Sequence, residues 1–310
     1  HSIDGDLGGE EEEAIKELNY LPNKAAQNLR KRYTHIIGLV VRDIADPFFS
    51  QIAKGVTETV MELGYMAMVC NSERNVGYEY DYLDLLMRQG VDGIIVAGGG
   101  YRDNQLVTLL EEKLRIISSR GIKFIALAPQ GVDVPLVSAD NFKLGECICD
   151  YLFSRNHRNI AFIGGDEMVF SNHERMEGYK MAFTKRGNKV NDDYIIHGKF
   201  SLDGGYKACQ ELLHRNIPIT GICCANDNIA VGVLKCLQEH KIRVPEDISI
   251  ISMGDLPIAR YSIPHITTAA IPLYEMGKKS VEIICGKYKM ESKTLHLPFK
   301  IIERNSVVSL

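Results

Sequence analysis

The chain has 310 residues, 45% of them apolar, with 36 Lys and Arg against 40 Asp and Glu, for a formal net charge of −4. That length supplies core for one large or two ordinary globular units. The slightly acidic balance excludes nucleic-acid binding by overall charge, and the composition excludes a fibrous, disordered or disulfide-stapled chain.

Residues 1–9 are polar and glycine-rich without period, and 1–13 are set aside as a leader outside the fold. From His35 onward, short apolar runs of β type alternate with amphipathic stretches of helical length, the pattern of a parallel sheet flanked by helices. The first series predicts strands at 36–41, 65–70, 93–97 and 124–127, with helices at 47–63, 76–89 and 104–119. The second predicts strands at 160–163, 194–197, 219–223 and 248–252, with helices at 142–154, 172–185, 204–214 and 226–239. A further helix at 272–285 and one further strand at 295–302 follow after the second series is complete, so the chain crosses back to the first. The expected fold class is α/β, with two doubly wound parallel-sheet lobes: 34–136 plus about 271–298, and 137–270 plus about 299–310. Ligands of such sheets bind outside the carboxyl ends of the strands, so the cleft between the lobes is the expected site and the crossings its hinge.

The eight cysteines lie in apolar stretches without a C-x-x-C pair, the usage of small core hydrophobes in a reducing compartment. No apolar run approaches the roughly 18–20 residues that span a bilayer, and no basic, then apolar, leader opens the chain. The expectation is a cytoplasmic protein with no membrane partner. Phosphate-loop, dinucleotide, zinc-protease and nucleophile-elbow motifs are all missing. The expectation is therefore no enzyme, no cofactor and no metal. Gly98-Gly99-Gly100 follows a strand but lacks the spacing of a phosphate cradle and is taken as a loop turn, and isolated histidines such as His157, His197 and His214 as surface or satisfied residues.

Three places carry candidate binding chemistry. At Asp46-Pro47-Phe48-Phe49, Asp46 fits an N-cap and Pro47 the first helical position, and the two rings then sit at the strand ends, either to stack on a ligand or to pack under the helix. In Ser171-Asn172-His173-Glu174-Arg175, Arg175 is either a solvated helix residue or a planar fork of donors for a ligand oxygen. As a fork lining an open cleft, its truncation is expected to leave fold stability nearly unchanged. In Ala225-Asn226-Asp227, the Asn226 amide can cap a helix and bond a ligand hydroxyl. Upstream, 24–32 carries four basic residues and no acid, and Asn23 can cap a short helix there that shows Leu29, marginal until a partner orders it.

Together these segments closely resemble the lac-repressor family of bacterial transcription regulators. The resemblance runs from about Ala14 and rests on 14–20 with Leu21-Pro22-Asn23, Ile37-Gly38-Leu39-Val40 before Asp46-Pro47-Phe48-Phe49, 155–165, Arg175-Met176-Glu177-Gly178-Tyr179, and Ala225-Asn226-Asp227 continuing to 243–249. It implies a periplasmic-binding-protein-like core with three crossovers, a homodimer, a small-molecule effector in the cleft, and operator DNA bound through a helix-turn-helix head and a hinge helix. The head is expected to be absent from this chain, of which 14–33 would retain its last helix and the hinge. The hinge residues would be Asn23, Ala26 and Leu29, with Leu29 wedged between base steps. The effector contacts map onto Asp46, Phe48 and Phe49 in the first lobe and Arg175, Phe200 and Asn226 in the second. Gly254 stands where the family often has an acid, so Asp255 is expected to reach in from one residue along. A sugar or sugar derivative is the implied effector. The alternatives are a purine-type corepressor stacked on Phe48 or Phe49, or the solute-binding protein of a transporter.

Overall fold

The structure, a computed structural model, describes residues 34–310, so the leader and the hinge residues Asn23, Ala26 and Leu29 lie outside the described residues. The first sheet comprises β1 (Ile36–Val41), β2 (Met66–Asn71), β3 (Gly93–Ala97), β4 (Lys123–Ala126), β5 (Leu136–Ser138) and β11 (Thr294–His296), in the order β11-β5-β4-β3-β1-β2, all parallel. The second comprises β6 (Ile160–Gly164), β7 (Ile195–His197), β8 (Gly221–Cys224), β9 (Ser249–Gly254), β10 (Thr267–Ala270) and β12 (Lys300–Ile302), in the order β12-β10-β9-β8-β6-β7. Only β12 runs antiparallel to its neighbour.

Alternation along each strand decides which helix covers which face. On β1, Ile37, Leu39 and Val41 join the cluster under α1 (Pro47–Glu62) and α9 (Leu273–Ile284), whereas Val40 joins that under α2 (Val76–Gln89) and α3 (Asn104–Ser119). In the second lobe α4 (Asn141–Ser154) packs on α5 (Phe170–Thr184), and α6 (Leu202–His214) on α7 (Asp227–Glu239). The eight cysteines are free, six of them buried, as small apolar side chains. His157 is a satisfied core residue, bonded to Thr220 Oγ1 at 3.1 Å and the Val308 carbonyl at 2.9 Å.

The chain crosses between sheets after β5, after β10, and between β11 and β12. This last crossing corrects the expected single strand at 295–302. Pro298, which has no N–H for a ladder, lies between two three-residue strands that join different sheets. The structure also adds β5, β10 and the short α8 (Pro257–Tyr261), none of which has a long apolar run.

Candidate functional site: an interlobe cavity

Strand order reverses between β1 and β3 in the first sheet and between β6 and β8 in the second, and the crevice at each reversal faces the other lobe. The loops leaving these strands line one cavity. The first lobe contributes Arg42, Asp46, Phe48, Phe49 and Arg74, the second Asn141, Ser171, Arg175, Phe200 and Asn226, with Ser138 at the crossing between them.

Asp46 caps α1 as expected, its Oδ1 accepting the Phe48 N–H at 3.0 Å. Its Oδ2 accepts from Arg74 Nη2 at 3.0 Å and, across the cleft, from Asn228 Nδ2 at 3.3 Å. Phe49 is buried in the core and Phe48 half-buried, and the rings meet edge to face at 5.2 Å; both line the cavity, so packing and ligand exposure coexist. Phe200 closes the opposite wall, its ring lying where a side chain at Gly165 would otherwise stand.

Arg175 is only 7% exposed, so it is not a solvated helix residue. Its Nε donates to Asn141 Oδ1 at 2.9 Å and its Nη1 to the Ala225 carbonyl at 2.6 Å, leaving Nη2 outside these bonds. Burial pushes the guanidinium down to about 10, opposed by the through-space pull of Glu174 and Asp227, so it remains a cation at neutral pH. Because the bonds to Asn141 and Ala225 hold part of the fold, the expected indifference of stability to truncation is corrected. Asn226 caps α7 through Oδ1, which accepts the Ile229 N–H at 2.8 Å. Asp227 behind it is buried and accepts from the Ser252 hydroxyl, from Thr268 Oγ1 at 2.9 Å and from the Leu256 N–H at 2.7 Å.

Six of the seven candidate effector residues are thus brought together, and Asp255 is not. Asp255 sits at φ 66° after Gly254, its carboxylate held by Arg260 at 2.7 Å and by Arg304, beside a separate depression. It follows β9, one strand away from the reversal, and two arginines already occupy its oxygens.

Sequence reasoning missed Arg42 and Arg74. Arg42 leaves the end of β1, donates from Nη2 to the Gly99 carbonyl, lies 3.6 Å from Glu79 and stacks over Tyr101 at 4.7 Å. The signal was a basic residue ending an apolar strand, together with the glycine run. Gly98, at φ 130°, leaves no room for a Cβ, which would stand 2.7 Å from Arg42 Nε; the run is a seat for Arg42 as well as a turn. A side chain on Gly99 would meet Ser171 Oγ across the cleft at 2.8 Å. The lobes meet directly beyond the run: the Arg102 N–H donates to the Met168 carbonyl at 2.6 Å and the Phe170 N–H to the Gly100 carbonyl at 3.0 Å, around a bridge of Tyr101 with Val169.

Two doubly wound lobes closing on a cavity with aromatic walls and polar groups from both sides define a clasping small-molecule-binding core. The family model described as periplasmic binding proteins and sugar binding domain of the LacI family matches residues 34–300, and the chain belongs to that family. The Ribose operon repressor of Escherichia coli (strain K12) is 30% identical over 302 residues, covering 95% of this chain and 89% of that one. Among solved structures, the transcriptional regulator CelR–cellobiose complex superposes with a TM-score of 0.78 at 27% identity, covering 98% of this chain and 92% of that chain. A LacI family transcriptional regulator from Enterococcus faecium with bound ribose gives 0.74 at 28% identity, covering 89% and 99%. These relatives are transcription regulators rather than enzymes. Among the described residues no helix is long and apolar enough to cross a membrane.

Proposed function

We propose that this chain is the effector-binding and dimerisation core of a cytoplasmic DNA-binding repressor that senses a sugar or sugar derivative between its lobes and catalyses no reaction. The observation that carries the reading is the single cavity in which Phe48, Phe49 and Phe200 face Arg175 and Asn226, aromatic faces for a sugar ring and a planar fork and an amide for its oxygens. Ligands in two relatives support it: cellobiose in one complex and ribose in the other. Groups from both lobes grip the same molecule, so binding shifts the lobes toward closure by the difference in contacts between closed and open forms. Operator DNA would be bound through a head and hinge that this core orients.

Pairing into a homodimer has its own support. The edge strand β2 leaves Met66 65% and Val69 43% exposed beside Met61 of α1 at 74%, an apolar margin next to unpaired backbone, and Tyr261 and Ile263 are exposed on the second lobe. A thermal-shift screen with sugars and nucleosides tests the reading, since a ligand at 100 times its dissociation constant adds about 2.7 kcal/mol. Stabilisation by a sugar is expected; stabilisation by purine nucleosides alone would contradict the sugar assignment.

A further inference from the structure

We infer that the cavity takes an anionic sugar derivative, a sugar acid or a sugar phosphate, rather than a neutral sugar, because three arginines line its wall against a single carboxylate. This rests on the effector-binding reading above and names its ligand class. Arg42, Arg74 and Arg175 all line the cavity, and Asp46 is the one carboxylate among the described residues that does. The Asp46 oxygens accept from the Phe48 N–H, Arg74 and Asn228. The two amide oxygens on the wall each already accept one bond, Asn141 Oδ1 from Arg175 and Asn226 Oδ1 from the Ile229 N–H.

A neutral sugar presents hydroxyls that each donate a proton, so a site for one must supply acceptors to receive them. This wall instead leaves donors over. Arg175 Nη2 lies outside the bonds that its Nε and Nη1 make, and it can only donate, whereas the partnerless Ser138 hydroxyl can serve either way. Arg175 is a buried cation whose direct hydrogen-bond partners are an amide oxygen and a carbonyl, both neutral, while Glu174 and Asp227 act on it only through space. A carboxylate or phosphate oxygen gives Nη2 an acceptor and brings a second negative charge to a wall of three arginines at once. Glu79 lies 3.6 Å from Arg42 but outside the cavity wall, so it offers a ligand hydroxyl nothing.

Calorimetric titration of the whole chain with matched triplets tests this: D-glucose, D-glucuronate and D-glucose 6-phosphate, then D-ribose, D-ribonate and D-ribose 5-phosphate. The expected result is an anionic member binding at least about tenfold tighter than its neutral counterpart, the strength of a charge-assisted hydrogen bond, with a smaller advantage at high salt. Whether the winner is a carboxylate or a phosphate separates the two sources. Arg42→Gln and Arg74→Gln should each reduce that preference. Arg42→Gln leaves buried Glu79 without its guanidinium and is exposed to misfolding, so the part-exposed Arg74→Gln, checked by its melting curve, is the second variant. A neutral sugar binding as tightly as its anions, or an anion preference untouched in folded variants, overturns the inference and leaves the sugar reading standing. Silence from all six probes removes the sugar reading and the inference with it.

Discussion

Arg175 holds two positions at once, one in the fold and one toward the ligand. Truncation in Arg175→Ala should weaken effector binding about tenfold to a hundredfold. It should also lower stability by about 1–3 kcal/mol, because Asn141 Oδ1 and the Ala225 carbonyl lose their donor. Calorimetry beside a melting curve checks both, and unchanged affinity would remove Arg175 from the site. The sequence could not show this double use. An arginine among His173, Glu174 and Glu177 looks solvated, and only the packing of α5 against α4 and β8 buries it. Asp227 was likewise legible only as the neighbour of a cap. Burial pushes its carboxyl up to about 6, although hydrogen bonds from the Leu256 N–H, Ser252 and Thr268 pull the other way. Its folded-state value therefore exceeds the ordinary value of about 4, so its contribution to stability is fully present below about pH 4 and is lost as pH rises through about 6. Relative to Asp227→Asn, the wild-type melting temperature should fall between those two pH values. A constant difference across that range would contradict the raised value.

At the scale of elements, helix pairs are drawn together by glycines facing the partner's carbonyl. A Cβ on Gly145 of α4 would run into the Arg175 carbonyl, and one on Gly178 of α5 into that of Phe142. The pairs α1 with α9 and α6 with α7 make the same approach at Gly55 and Gly277, and at Gly205 and Gly232. Gly145→Ala should therefore cost about 1–3 kcal/mol by overpacking, and should weaken ligand binding because the backbone that must yield belongs to Arg175. Urea melts and titration of the same variant check the pair of effects; full stability with full affinity would contradict it. Elements with long periodic runs were legible: β1, β3, α2 and α3 fall on their predicted residues. The start of α5 was not. Ser171-Asn172 has the form of a cap, yet the helix begins at Phe170, because Val169 is bridged to Tyr101 of the other lobe and no side chain caps the end. β10 was hidden for another reason. Its Thr-Thr-Ala-Ala sequence lacks an apolar run, and its threonines are buried because Thr267 accepts the Arg304 N–H and Thr268 donates to Asp227.

For the whole molecule, the two series of strands were enough to place a cleft, since strand order and loop position follow from right-handed connections. Which loops would touch was not legible, because contacts between lobes depend on how two separate sheets close on each other. The Asp46–Asn228 bond and the backbone bridge of 100–102 with 168–170 join segments from opposite lobes, and neither local composition nor period marks them. Light scattering at micromolar concentration should report a dimer, and a monomer alone would contradict pairing through the exposed margin of β2 and α1. The proposed effector site is the cavity that Phe48, Phe49, Phe200, Arg175 and Asn226 line from both lobes. Its most direct test is a crystal structure grown with the sugar derivative that raises the melting temperature furthest. Ligand density is expected between Phe48, Phe49 and Phe200, with Arg175 Nη2 and Asn226 bonded to its oxygens. Ligand density at the depression beside Asp255, or elsewhere on the surface with this cavity empty, would contradict it.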